Sequence, residues 1–118
     1  MSNGTAARIC VTGATGRAGR VVVRELREHG YDVVATDATA ATCDIRADVL
    51  RADLTDYGQA VEVLRGADAV VHLAAIPSAG LVTPAVTFTT NVTMNFSVFH
   101  AAASLGVTRV VWASGRNG

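Results

Sequence analysis

The chain has 118 residues; half are hydrophobic and 17% are charged, with ten basic residues, all arginine, against ten acidic ones and a formal net charge of zero. That length bounds it to one domain with a modest core. The composition excludes a disordered tail, and the even charge balance offers neither a nucleic-acid stripe nor an acidic docking surface.

In chain order, the apolar run Arg8-Ile9-Cys10-Val11-Thr12 predicts a first strand, with Cys10 as a small buried hydrophobe. Cys10 and Cys43 show no metal-ligand spacing and no disulfide framework. Three glycines follow, Gly13, Gly16 and Gly19, and a helical pattern then begins with Val21, Val22, Val23 and Leu26. Strand, tight turn and helix form the context in which a glycine motif points to a dinucleotide. Gly13 permits the sharp turn, Gly16 lets backbone approach a pyrophosphate, and Gly19 lets the helix pack close to the strand. The helix N-terminus then presents N–H groups and a partial positive charge to the phosphates. The spacing here is GxxGxxG, and taken alone it also fits a plain structural turn between strand and helix.

The first helix is expected over residues 16–29, stopped at Gly30. Residues 31–36 read as a second buried strand ending at Asp37. At that strand tip a carboxylate would sit beside the glycine turn, accept hydrogen bonds from adenosine ribose hydroxyls and repel a 2′-phosphate; the alternative is a solvated turn aspartate. Arg17, inside the turn, could pair with a phosphate, a 2′-phosphate included, but Asp37 favours NAD over NADP. Residues 38–47 read as a loop and 48–52 as a short third strand. Asp56 or Thr55 can cap a helix over 57–64 that ends before Gly66. Asp53 fits either a turn residue or a group near an adenine edge.

Residues 69–75 are apolar almost throughout, as suits a central parallel strand covered on both faces. Within them His72 reads as a satisfied core histidine. Ala74 and Ala75 are small where the strand ends, so a ribose and pyrophosphate could lie against backbone. A loop with Pro77, Gly80 and Pro84 leads to a long helix over 85–105, stopped by Gly106. It holds no Asp, Glu, Lys or Arg and wants burial on two sides. Of its two amides, Asn91 and Asn95, the second is expected on the helix surface. Residues 108–114 form a fifth strand ending at Ser114.

Strands alternating with helices through right-handed crossovers predict an α/β, doubly wound, Rossmann-like parallel sheet in the order 3-2-1-4-5. The glycine turn, Asp37, Ala74, Ala75 and Ser114 all fall at carboxyl ends of strands, where open α/β sheets bind ligands. With no long apolar segment and no basic, apolar leader in residues 1–7, a cytoplasmic protein is expected, with no membrane partner.

The stretches Thr12-Gly13-Ala14-Thr15-Gly16-Arg17-Ala18-Gly19, Asp53-Leu54-Thr55-Asp56, Val70-Val71-His72-Leu73-Ala74-Ala75, Asn91-Val92 and Arg109-Val110-Val111-Trp112-Ala113-Ser114 together resemble the N-terminal part of the extended short-chain dehydrogenase/reductases, the NAD-dependent epimerase/dehydratase family. The resemblance covers about residues 8–115. It implies that Gly13, Thr15, Gly16 and Gly19 form the pyrophosphate turn with Arg17 nearby. It further implies that Asp37 holds the adenosine ribose, Asp53 and Leu54 flank the adenine, and Ala74 and Ala75 line the cofactor. Asn91 would be the family's structural asparagine, and Ser114 would lie near the nicotinamide. In such proteins the long helix contributes to a dimer interface. The family's proton transfer uses a Tyr-x-x-x-Lys pair in which the lysine lowers a tyrosine pKa from its ordinary value of about 10. This sequence has only Tyr31 and Tyr57 and no lysine. Three functions are therefore expected to compete. One is the cofactor half, incomplete at its C-terminal side, of an enzyme acting on a nucleotide sugar or another small carbonyl or alcohol compound. The others are a non-catalytic NAD(H)-binding module and an inactive remnant.

Overall fold

The computed structural model describes residues 6–38, 49–74 and 83–112. Their elements are β1 (Arg8–Thr12), α1 (Arg17–Glu28), β2 (Asp32–Asp37), β3 (Val49–Arg51), α2 (Tyr57–Leu64), β4 (Ala69–His72), α3 (Pro84–Leu105) and β5 (Arg109–Trp112). The five strands form one parallel sheet in the order β3-β2-β1-β4-β5, the order expected from the sequence. β1 and β4 are neighbours although β2 follows β1 in the chain, so the topological switch lies between them.

Alternation along the strands divides the interior into two layers. Ile9, Val11, Val33, Ala35, Ala69 and Val71 point to one face and meet Val22, Val23 and Leu26 of α1. Cys10, Val34 and Val70 point to the other and meet Ala60, Val63 and Leu64 of α2 with Met94, Val98, Ala101 and Ala102 of α3. A side chain in the central strands thus finds apolar cover whichever way it points, and their near-continuous apolar runs follow from that. Cys10 is fully buried, and burial pushes its thiol up to about 12.

α2 and α3 cap their own N-termini: Asp56 Oδ1 accepts from the Gly58 N–H at 3.0 Å, and Thr83 Oγ1 accepts from the Val86 N–H at 3.3 Å. α3 starts one residue earlier than its pattern predicts. Pro84 serves as a first helical residue because its missing N–H would have no intrahelical partner there. On its outer side Phe88, Val92 and Phe96, four residues apart, are 71%, 47% and 63% exposed. β5 is an edge strand exposed at every residue. Among the described residues no helix is long and apolar enough to cross a membrane.

Candidate functional site

The carboxyl ends of β1, β2 and β4 converge on the glycine turn. Gly13 takes φ +68°, a conformation that side chains disfavour, and a Cβ there would lie 2.8 Å from the Ala74 nitrogen. Gly19, in the first turn of α1, has no room either, since a Cβ would collide with the Gly13 carbonyl oxygen and the Ala14 Cα. Gly16 differs. Its φ is an ordinary −73°, it is exposed, and a Cβ would meet only the Gly13 oxygen, at 3.4 Å. The protein interior therefore demands glycine at positions 13 and 19 but not at 16, where only something arriving from outside would. Gly16 is also the N-cap of α1, and it supplies no side-chain cap; the first turn carries no acidic residue. Of the three described helices, α1 alone leaves its leading N–H groups without a capping side chain. Arg17 is exposed at the first position of that helix.

Asp37 lies where the sequence expects it, against the turn. Its Oδ2 accepts from the Thr15 N–H at 2.9 Å and from the Thr15 hydroxyl at 2.6 Å, and its Oδ1 accepts from the Ala38 N–H at 2.7 Å. The Ala14 N–H also reaches the Thr36 carbonyl at 3.1 Å, so turn and strand tip are joined by backbone as well. Thr15 is thus the link that fixes the carboxylate of Asp37. Asp53 belongs to a tight turn: its Oδ1 accepts from the Thr55 N–H and hydroxyl at 3.0 and 2.6 Å. Those bonds hold its carboxyl below the usual carboxylate range, the hydroxyl contributing most. Leu54 is 3% exposed and packs in the α2–α3 layer, so only its backbone could face a ligand. Ala74 is half-buried beneath Gly13. Asn91 is half-buried on α3, whereas Ala75 and Ser114 lie outside the described residues.

His72 is a buried core histidine, as expected, and both ring nitrogens are engaged. Nδ1 is 2.7 Å from the Thr12 hydroxyl, and Nε2 is 2.8 Å from Oδ1 of Asn95. Asn95 is therefore not the surface residue its helix position suggested; it is half-buried and is the partner of His72. The overlooked signal is the histidine itself, since a buried imidazole needs a polar partner and the covering helix carries only two amides. The Thr12 oxygen also accepts from the Leu73 and Ala74 N–H groups at 3.0 and 3.1 Å. A hydroxyl has one hydrogen and two lone pairs. With both lone pairs taken, its hydrogen goes to Nδ1, which leaves the ring proton on Nε2, donating to Asn95. Burial pushes the His72 pKa down, and the Asn95 bond opposes this only in part. Among the described residues no group of three His, Cys, Asp or Glu side chains is placed to hold a metal.

The model of the NAD-dependent epimerase/dehydratase family matches residues 9–117. Among curated proteins, the chain is 36% identical over 126 residues to cinnamoyl-CoA reductase 1 of Oryza sativa subsp. japonica, covering 96% of this chain and 36% of that protein. It is 36% identical over 110 residues to an L-arabinose 1-dehydrogenase (NAD(P)(+)) of Haloferax volcanii, covering 92% and 41%. Among solved structures, a short-chain dehydrogenase/reductase superfamily protein of Agrobacterium tumefaciens with bound NAD superposes with a TM-score of 0.78 at 34% identity, over 91% of this chain and 32% of that one. The chain thus spans about two fifths or less of the length of these relatives.

Proposed function

This chain belongs to the NAD-dependent epimerase/dehydratase family, and on that premise we propose that it forms the dinucleotide-binding part of an NAD-dependent oxidoreductase, epimerase or dehydratase. The observation that carries the reading is the convergence of three features on one rim: an uncapped helix N-terminus, a glycine the interior does not require, and a carboxylate tied to the same turn. In this reading the N–H groups after Gly16 receive the pyrophosphate, with Arg17 beside it. Asp37 receives the adenosine ribose and selects NAD over NADP, because a 2′-phosphate would meet its negative charge. Asp53 and the Leu54 backbone border the adenine, and Ala74 and Ala75 line the ribose and pyrophosphate. Ser114 approaches the nicotinamide, and Asn91 holds α3 in place behind it. When bound, the nicotinamide supplies hydride exchange with a carbon of the substrate.

The substrate class we propose is a nucleotide sugar or another small carbonyl or alcohol compound. The named relatives include one for a sugar and one for an acyl-CoA, and the fold alone does not choose between them. Proton transfer needs a tyrosine and lysine pair that these residues do not supply. Tyr31 precedes β2, and the Tyr57 hydroxyl is engaged with Ser104 and His100. We place that pair and the substrate-binding elements in sequence outside these 118 residues, a placement supported by how far the matched relatives extend beyond the matched part. The missing pair also favours a second reading, a non-catalytic NAD(H)-binding module. We further propose a cytoplasmic protein that pairs through the exposed face of α3.

Calorimetric titration with NAD and NADP tests the cofactor reading. The expected result is saturable NAD binding, weaker NADP binding, and a loss of about tenfold or more in NAD affinity for Gly16→Val, equivalent to about 1.4 kcal/mol. Absence of binding at millimolar NAD would overturn it. Turnover by the native-length protein separates the enzyme from the module.

A further inference from the structure

The hydrogen bonds described around His72 join three elements that are distant in sequence. Thr12 ends β1, His72 ends β4, and Asn95 lies in the middle of α3. The Thr12 hydroxyl is the centre: its two acceptor sites hold the Leu73 and Ala74 N–H groups, the first residues to leave β4. Those same residues are the ones against which Gly13 packs without a Cβ. The gap between the glycine turn and the β4 exit is therefore held by the Thr12 hydroxyl, whose direction is set by His72 Nδ1, together with the bond from the Leu73 N–H to the Thr12 carbonyl at 3.3 Å.

We propose that His72, held in its Nε2-protonated neutral form by Asn95, is a positioning residue for the dinucleotide, acting through Thr12 on the two strand ends that form the cleft. The proposal rests on the cofactor reading above. An imidazolium would carry a proton on Nδ1 as well, aimed at an oxygen whose lone pairs are both in use. Thr12 would then have to release Leu73, leaving it to the Thr12 carbonyl alone, or Ala74, and either change loosens the β4 exit beneath the turn. Among the described residues no charged side chain offsets this. β1 presents Thr12, with the Cys10 thiol above it on the same face, neutral because burial pushes it up to about 12. α3 presents Asn95 and Phe99, and β5 presents Trp112 as the register partner of His72. Arg8 and Arg109 begin their strands, at the opposite end of the sheet from His72, and His100 turns to Tyr57.

The test is NAD affinity as a function of pH, measured by calorimetry on the native-length protein and on Asn95→Asp, Thr12→Val and Thr12→Ser. Wild-type affinity is expected to be flat near neutral pH and to fall on acidification by up to about tenfold per pH unit, the limit for one linked proton. Asn95→Asp places a carboxylate beside Nε2 and is expected to move the midpoint of that fall upward by about one pH unit or more. Thr12→Val is expected to lose about tenfold at neutral pH, and Thr12→Ser to retain wild-type affinity. Superimposable profiles for wild type and Asn95→Asp, or wild-type binding by Thr12→Val, would overturn the inference while leaving the cofactor reading intact. Absence of NAD binding by the wild type at neutral pH would overturn both. Should Thr12→Val fail to fold, the wild-type and Asn95→Asp profiles decide. Nitrogen NMR of the His72 ring provides an independent readout; a ring protonated on Nδ1 at neutral pH would also overturn the proposal.

Discussion

The three glycines around the turn fall into two kinds, and substitution should separate them. Gly13→Ala and Gly19→Ala each force a Cβ into backbone, and overpacking of this kind costs about 1–3 kcal/mol. Thermal melts are expected to fall by several degrees for both, since about 1 kcal/mol moves the midpoint of a domain this size by about 4–8 °C. Gly16→Ala, with only one contact at 3.4 Å, is expected to melt close to wild type. His72 makes stability depend on pH in a definite direction. Its folded pKa lies below the ordinary value of 6.5, so between the two values the unfolded chain binds more protons than the folded one. That stability is fully present above about pH 6.5 and is lost as pH falls toward the folded pKa. Urea midpoints measured from pH 7.5 down to 5 should decline, and a flat profile would contradict the buried neutral ring. Spacing made the glycines and Asp37 legible, because strand tips and turns are local. Asn95 was not legible, because its partner is 23 residues away across a helix–sheet contact that no periodicity encodes. The resemblance sets Leu54 beside the adenine; its side chain fills the core, which leaves that role to its backbone, and a buried leucine after a turn aspartate carries no local mark of either.

Each described helix begins differently, and the difference bears on stability. Asp56 holds the Gly58 N–H through Oδ1 and the Gln59 side chain through Oδ2, while Gln59 in turn accepts from the Asp53 N–H. α2 has only eight residues, too few to persist without its cap and its packing. Asp56→Ala is expected to cost about 0.5–2 kcal/mol, visible in chemical denaturation, with NAD affinity little changed. A cap of equal strength on α1 would have the opposite profile: Gly16→Asp supplies the side chain that α1 lacks, and should leave stability equal or better while repelling a pyrophosphate. Element type and order were readable because each strand is a short apolar run closed by polar or small residues. Boundaries shifted where capping decides them, as at Thr83 and Pro84.

At the scale of the whole molecule, the strand order follows from handedness and connection length once five strands and their crossovers are recognised, which is why it was legible without a single contact. What covers the outer face of α3 and the β5 edge was not legible. The outer stripe of α3 exposes two phenylalanines and a valine, and β5 exposes Trp112. Such a patch is expected to be buried by association. If two copies pair along α3 as proposed, sedimentation of the native-length protein should show a dimer, and Phe96→Glu should shift it toward monomer.

Cys10 gives this fold an internal clock. Its thiol lies at zero exposure in the central strand, and burial keeps it protonated and therefore unreactive. β2 and β4 flank it and α2 and α3 lie over it, so a reagent reaches it only when that packing opens. Alkylation at that one sulfur, resolved from Cys43 by peptide mass, would therefore count openings of the layer between the sheet and α2 and α3. The rate at which it is modified, with and without NAD, would report how strongly a bound dinucleotide slows those openings.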